Sequence, residues 1–473
     1  MRYSKHGWFR EQFGVLRRQF LQEGELPFTS VLSEETISPA LQEIDACWKD
    51  RIFSPLVTLW VFLGQVLSID HSCRGAVARL VTHRVSQGRP PCSAKTGAYC
   101  QARKRLPERF FATITAMVGR ALDSQVEKKW LWKDRCVYMF DGTTVNMPDT
   151  VENQEAYPQT YNQKPGLGFP IARVGAIVSL SCGAILNLGF RKYAGKGQGE
   201  VSLLRELWDV LRPRDVLLAD SLMCNWTSIA MLTERRFELV SRLNKANRKA
   251  DFRRGERLGK DDHIVRWQKP NSIRALDRKA YNALPASVTV REVRVRVQQP
   301  GFRTQVFVVV TTLLDPKQVT PKDLADLYRA RWHNELDLRS IKCSLQMDVL
   351  RCKTPDLVRK EIWTHVLAYN LIRTVMAQSA SRHGIEPRTI SFKGTLQMLE
   401  AFQPLIAYHG HRGADYRIAL YHGLLDSIAQ HRVGNRPNRF EPRKRKHWPK
   451  KLDRMTKPRH VLKQEMLKGV SNI

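Results

Sequence analysis

A chain of 473 residues, 42% hydrophobic, is long enough to bury more than one compact core, which excludes a disordered tail. Its 78 Lys+Arg against 45 Asp+Glu give a formal charge of +33. That excess repels itself in a compact state unless a polyanion neutralises it, and nucleic acid is the polyanion that fits. The nine cysteines are scattered without a C-x-x-C pair, which argues against a disulfide framework or a zinc site. No apolar h-region follows Met1, so a reducing cytosol is expected.

From the N-terminus to about Ser124 the apolar spacing is helical, as through Leu56, Leu59, Trp60, Leu63 and Leu67, with Pro55 placed at a helix start. The apolar stretch Leu56 to Ile69 falls short of the roughly 20 residues that span a bilayer, and it is expected to be a buried core helix. The segment Lys95 to Leu106 follows a Pro-rich loop, and its cations fit either a DNA groove or a solvated basic face.

The period then becomes strand-like. Cys136 to Phe140 reads as a short strand that ends at Asp141, with a turn over Gly142-Thr143-Thr144. Ala172 to Leu180 and Ala184 to Phe190 read as a hairpin, Val201 to Leu211 as a helix, and Val216 to Ala219 as a buried strand that ends at Asp220. A strand, a hairpin, a helix and a further strand are what a ribonuclease-H-like core requires, with its first and fourth strands parallel neighbours. Phe237 to Leu243 extends the sheet. From 244 to 314 a charged segment and the Val/Arg alternation of 287–297 indicate a β-rich insertion of antiparallel strands with one cationic face. The fold class is therefore α/β: a mixed sheet core with a β-rich insertion, flanked by helical N- and C-terminal regions.

Thr320-Pro321-Lys322-Asp323 is a helix start by its own chemistry, and a long helix is expected to follow. At 100° per residue, Tyr328, Arg331, Glu335 and Lys342 fall at about 0°, −60°, −20° and −40°, one stripe of a face. For this helix alone solvated charge is the preferred reading, with Glu335 and Arg339 as an i, i+4 pair. Asp141 and Asp220, each at a strand end, project from one edge of the sheet, and Glu335 on a later helix can reach the same point. Three carboxylates need cations, and oxygen-only ligation favours two ions of Mg2+ or Mn2+ roughly 4 Å apart. Arg331, Arg339 and Lys342 then hold DNA phosphates. Asp215 is a turn acid and a lesser candidate than Asp220; Trp267 is expected in the core, and His333 is expected to be exposed or structural and not catalytic.

The segment Tyr328-Arg329-Ala330-Arg331-Trp332-His333-Asn334-Glu335 through Lys342 fits Y-x2-R-x3-E-x6-K. In this it resembles bacterial transposases of the insertion sequence 4 family, as do Asp141-Gly142-Thr143 and Asp220 after its apolar strand. The resemblance covers about residues 95 to 460 and departs at Asp220-Ser221, where many relatives have Asp-Arg. It implies a two-metal DDE transposase that works as a homodimer on terminal inverted repeats and target DNA, in a bacterial cytoplasm at the nucleoid. It also implies DNA contacts by Tyr328, Arg331 and Lys342, while Trp332, directly after the arginine, is expected to stack on an unpaired or flipped base. A non-catalytic DNA-binding derivative and a nuclease on the same core are the alternatives.

The expected organisation is a helical DNA-binding region at 1–125, core at 126–243 and 315–380 around the insertion at 244–314, and a helical C-terminal region at 381–473. Within that last region, 431–460 carries 12 Lys+Arg against Glu441 and Asp453, and Arg436 to Lys451 is expected to be an extended phosphate-binding arm.

Overall fold

The computed structural model describes residues 34–43, 52–86, 88–246, 248–273, 276–297, 305–409, 412–434 and 455–470. The arm expected at 436–451 lies outside these residues.

The described N-terminal part is helical: α1 (Glu34–Glu43), α2 (Pro55–Val66), α3 (Cys73–Ser86), α4 (Gly97–Arg105) and α5 (Glu108–Ser124). The chain enters α2 as its sequence dictates, with Ser54 accepting the Val57 N–H on its side chain and Pro55 inside the first turn. Almost every side of α2 is buried, so it is a core helix. Among the described residues no helix is long and apolar enough to cross a membrane. In α4 the basic run is divided: Lys104 and Arg105 are exposed while Arg103 turns inward. There its guanidinium lies 3.3–3.6 Å from the thiols of Cys73, Cys100 and Cys352. The described cysteines are free.

Next come β1 (Val137–Asn146), α6 (Val151–Ala156), β2 (Ile171–Ser179), β3 (Ile185–Lys192), α7 (Glu200–Leu207), β4 (Val216–Ala219), α8 (Trp226–Glu234) and β5 (Glu238–Arg242). β1 pairs antiparallel with β2, and β2 with β3, while β1, β4 and β5 run parallel. This is the ribonuclease-H-like arrangement. One sheet face is covered by α7 and α8 through Leu203, Leu204, Leu207 and Ile229, against Tyr138, Phe140 and Leu217. The other face, with Val137, Met139 and Leu218, packs towards the remaining helices.

The insertion contributes β6 (Glu256–Gly259), β7 (Asp262–Gln268), α9 (Arg278–Ala283), β8 (Ser287–Val297) and β9 (Gln305–Thr311). Its strands do not stand apart. β9 pairs with β5, and the order β3-β2-β1-β4-β5-β9-β8-β7-β6 makes one sheet. The one cationic face expected of these strands is corrected at Arg291: Arg294 and Arg296 are exposed, but Arg291 is fully buried. The valines explain this. Val288 and Val290 belong to the core beneath one sheet face, Val293 and Val295 to the core beneath the other, so Arg291 faces inward. It forms two charge-assisted hydrogen bonds to Asp262 (2.8 and 2.6 Å) and donates to Val319 O (2.6 Å) just ahead of the next helix.

That helix is α10 (Pro321–Ala330), followed by α11 (Trp332–Arg339), a π-helical turn at Ser340–Ser344, α12 (Pro355–Arg382), α13 (Phe392–His409), α14 (Ala414–Gln430) and α15 (Arg459–Val470). Thr320 and Asp323 form a reciprocal capping box at the start of α10. α12 has 28 residues, is buried nearly all round, and packs against α2, α5, α13 and α14. Asn370 stitches it to the sheet by accepting the Ile185 N–H and donating to Ile185 O, both at 2.9 Å.

Candidate active site

The parallel register of β1 and β4 places the first two carboxylates. Met139 pairs with Leu218; two residues on, Asp141 stands on the same sheet face as Met139, and Asp220 stands just past the end of β4, close enough to act on the Asp141 charge. The expectation that Asp141 ends its strand is corrected: β1 continues to Asn146, because Asp141 to Asn146 keep an antiparallel ladder with β2. What ends beside Asp141 is β4, at Ala219. Asp141 is therefore held on one side by the ladder and is open on the other. Asp220 begins a turn, its Oδ1 accepting the Leu222 N–H (2.9 Å) and its carbonyl accepting the Ser241 hydroxyl (2.6 Å).

Glu335 arrives from α11. Arg331 joins it to the sheet: Nη2 donates to Glu335 Oε1 (2.7 Å), and Nη1 lies 3.6 Å from Asp141 Oδ2. The i, i+4 pairing of Glu335 with Arg339 is thereby replaced by pairing with Arg331, and Arg339 is exposed. The single straight helix expected after Thr320 is also corrected. The chain tightens at Arg331, where Arg331 N donates to Tyr328 O and Asn334 N to Arg331 O, and it widens into the π turn after Arg339. Lys342, carried by that turn, reaches β1 and donates to Thr144 O (2.9 Å), with Thr143 Oγ1 at 3.4 Å.

Tyr328 packs its ring on Phe307 at 5.0 Å between centroids, and Trp332 is 56% exposed, open to a stacking partner. Trp267 is buried, with Arg248 over its ring. Asp215 closes its own turn by accepting the Arg212 N–H. Burial, then Arg388, pushes His333 down to about 4, so its ring is neutral at ordinary pH.

Burial pushes the Asp141 carboxyl up to about 6, with Asp220 and Glu200 adding to the rise while the Gly142 N–H and Arg331 oppose it. A cation beside Asp141 would hold it ionised. The donor set is all carboxylate, which suits a hard divalent ion. Among the described residues no three His, Cys, Asp or Glu are gathered tightly enough to enclose a metal. Between Asp141 and Glu335 the compensating charge is the Arg331 guanidinium.

Two groups of residues escaped the sequence reading. Asp337, fully buried on α11, is held by Arg373 of α12 and by both oxygens to Arg388 Nη1 (2.8 and 2.6 Å). Arg388 also donates to Leu180 O and Ser179 O (2.6 Å each), so the helix bearing Glu335 is bolted to the sheet. On the other sheet face, Glu200 in the first turn of α7 pairs with Arg173 of β2 at 2.6 Å. The only sequence signal for Glu200 was an acid at a helix start, which capping alone explains.

Residues 132–371, just over half of the chain, match the transposase DDE domain family. The chain belongs to that family. It is similar to the transposase InsG for insertion sequence element IS4 of Escherichia coli (strain K12), 27% identical over 79% of this chain and 82% of that protein. It also matches the transposase for insertion sequence element IS421 of Escherichia coli, 35% identical over 83 residues, 18% of this chain and 22% of that one. This is a DNA transposase of the insertion sequence 4 type, and the DDE domain implies a metal-dependent reaction.

Proposed function

We propose that this transposase cuts phosphodiester bonds at the ends of an insertion sequence and joins the freed ends to target DNA, with Asp141, Asp220 and Glu335 as the metal-holding carboxylates. The observation that carries this reading is the position of Asp141 on β1 beside the end of the parallel strand β4, which Asp220 follows directly, with Glu335 brought towards Asp141 through Arg331. When bound, a pair of Mg2+ or Mn2+ ions supplies Lewis-acid activation of the attacking and leaving oxygens.

The chain's own residues do the rest. Arg331 passes from the carboxylates to a DNA phosphate, for which its planar fork is suited. Lys342, with its ammonium on the β1 backbone, and the exposed Arg339 flank the same strand. Tyr328 borders the scissile region, and Trp332 stacks on an unpaired base. The exposed cations of the insertion and the basic arm add phosphate contacts without reading sequence. The active assembly is a homodimer that pairs terminal inverted repeats, and its place is the bacterial cytoplasm at the nucleoid.

The test is strand cleavage of element-end DNA in Mg2+ by wild type, Asp141→Asn and Glu335→Gln. Equal activity in all three removes the assignment. Competition by random DNA at raised salt separates a transposase from a nuclease, since only the transposase retains preference for the ends.

A further inference from the structure

Gly142 follows Asp141 on β1, and a Cβ there would lie 2.6 Å from Glu200 Oε1 and 2.7 Å from Glu200 Cδ. The Glu200 carboxyl therefore occupies the space that any other residue at 142 would fill. α7 covers the sheet face opposite to Glu335, so Glu200 approaches β1 from the far side of the strand that carries Asp141. β4 ends at Ala219, which leaves the β4 side of β1 open at that level. Arg173, two rungs along the neighbouring strand opposite Thr144, fixes Glu200 there and donates its other amino group to Tyr193 O (3.3 Å).

An acid in the first turn of a helix stabilises it wherever it stands. Capping alone does not account for this position, because it brings a second carboxyl up to the strand at Asp141, whose ionisation it opposes, in a protein of net charge +33. Like charges so placed oppose ionisation unless cations join them.

We infer that Glu200 is a fourth acid of the transposase's metal centre, holding a divalent ion from the α7 side of β1 while Arg173 positions it and Gly142 admits it. The inference rests on the reading of Asp141, Asp220 and Glu335 as metal ligands. It separates the roles on either side: Glu335 acts from the helix that also carries the DNA-contacting residues, and Glu200 from a helix fixed to the sheet.

The test is Mn2+ titration of the full-length, DNA-free protein, with free Mn2+ counted by electron paramagnetic resonance. The proteins compared are wild type, Glu200→Gln, Glu206→Gln and Asp141→Asn. Glu200→Gln keeps a hydrogen-bond acceptor for Arg173. It is expected to weaken Mn2+ binding on the order of 10-fold or more, with its unfolding midpoint in EDTA unchanged. Glu206→Gln removes the same charge from the same helix, where Glu206 pairs with Arg191, and should titrate as wild type. Gly142→Ala, which displaces Glu200 without removing a charge, should also weaken Mn2+ binding and confirms the assignment if Glu200→Gln does not fold. A Glu200→Gln titration that superimposes on wild type, with Asp141→Asn impaired, overturns the role of Glu200 and leaves the three-carboxylate site standing. Superposition of all four proteins overturns both.

Discussion

Replacing Asp337 with Asn should loosen the helix that carries Glu335. Burial by itself would raise the Asp337 carboxyl, but Arg388 and Arg373 overcome it and hold the group below the usual range. The substitution preserves shape, removes the charge, and leaves two buried guanidinium groups with less compensation. Breaking a buried pair from one side costs about 3–5 kcal/mol. The lower end applies here, because each arginine keeps other partners: Arg388 the carbonyls of Ser179 and Leu180, Arg373 the Tyr369 hydroxyl at 2.8 Å. With a urea dependence near or above the ~3 kcal/mol/M of smaller proteins, a loss of about 3 kcal/mol lowers the unfolding midpoint by about 1 M or less.

Hydrogen exchange across 332–339 should accelerate, and end cleavage should fall by about 100-fold, since small misplacement of a reacting group has that effect. The double variant Asp337→Leu/Arg373→Met removes the Arg373 pair from both sides and leaves Arg388 its two backbone acceptors, so it should regain part of the stability. A midpoint for Asp337→Asn equal to wild type, or a double variant less stable than the single one, would refute the reasoning.

Asp141 gives a pH signature. A carboxyl raised to about 6 from 3.8 binds its proton more tightly in the folded chain, so its contribution to stability is full below about 4 and is lost as pH rises through about 6. Asp141→Asn in EDTA should therefore unfold at a higher temperature than wild type at pH 8 and converge with it near pH 4; a constant difference across that range counts against the burial argument. Arg331→Gln removes the guanidinium that competes for Asp141 and Glu335. It should bind Mn2+ about 10-fold more tightly without DNA, equivalent to ~1.4 kcal/mol, while end cleavage drops; weaker Mn2+ binding in a calorimetric titration would show that Arg331 does not compete. Gly119→Ala puts a Cβ 2.2 Å from Ile185 O and 3.0 Å from Asn370 Nδ2, in the seam between α5, β3 and α12. It should cost about 1–3 kcal/mol, read as a lowered denaturation midpoint, and an unchanged midpoint would mean that the seam opens freely.

Much of the sheet was legible because hydrophobic period and strand length agree. Val216 to Ala219 could be only a short buried strand, and 172–190 only a hairpin, so the core's order followed. Asp141 was misread as a strand end because the apolar run stops at Phe140. Beyond it, Gly142 to Asn146 stay in the ladder through backbone bonds that composition does not report. The insertion's union with the core was hidden for a related reason: β5–β9 pairing joins residues some 70 positions apart, and no local pattern encodes it. Arg291 shows the limit of alternation, since an arginine between valines reads as exposed until a partner such as Asp262 is seen.

The signature helix is the instructive case, because its spacing was read correctly and its geometry was not. On one continuous helix, Lys342 would share a stripe with Glu335 and point where Glu335 points. In the folded chain Ser340 turns its hydroxyl back onto Leu336 O (2.8 Å), a local bond that competes with the helical ladder. Leu345 N then reaches Ser340 O across five residues. The wider turn carries Lys342 to the β1 backbone beside Thr143, while Arg331, at the tightened junction, takes Glu335 and Asp141. The two cations of the signature thus stand on different parts of the sheet-helix junction, one on the strand's backbone and one between the carboxylates of Asp141 and Glu335. Fixed spacing in the sequence encodes two departures from the α-helix, and those departures separate a cation held by backbone from one held by carboxylates.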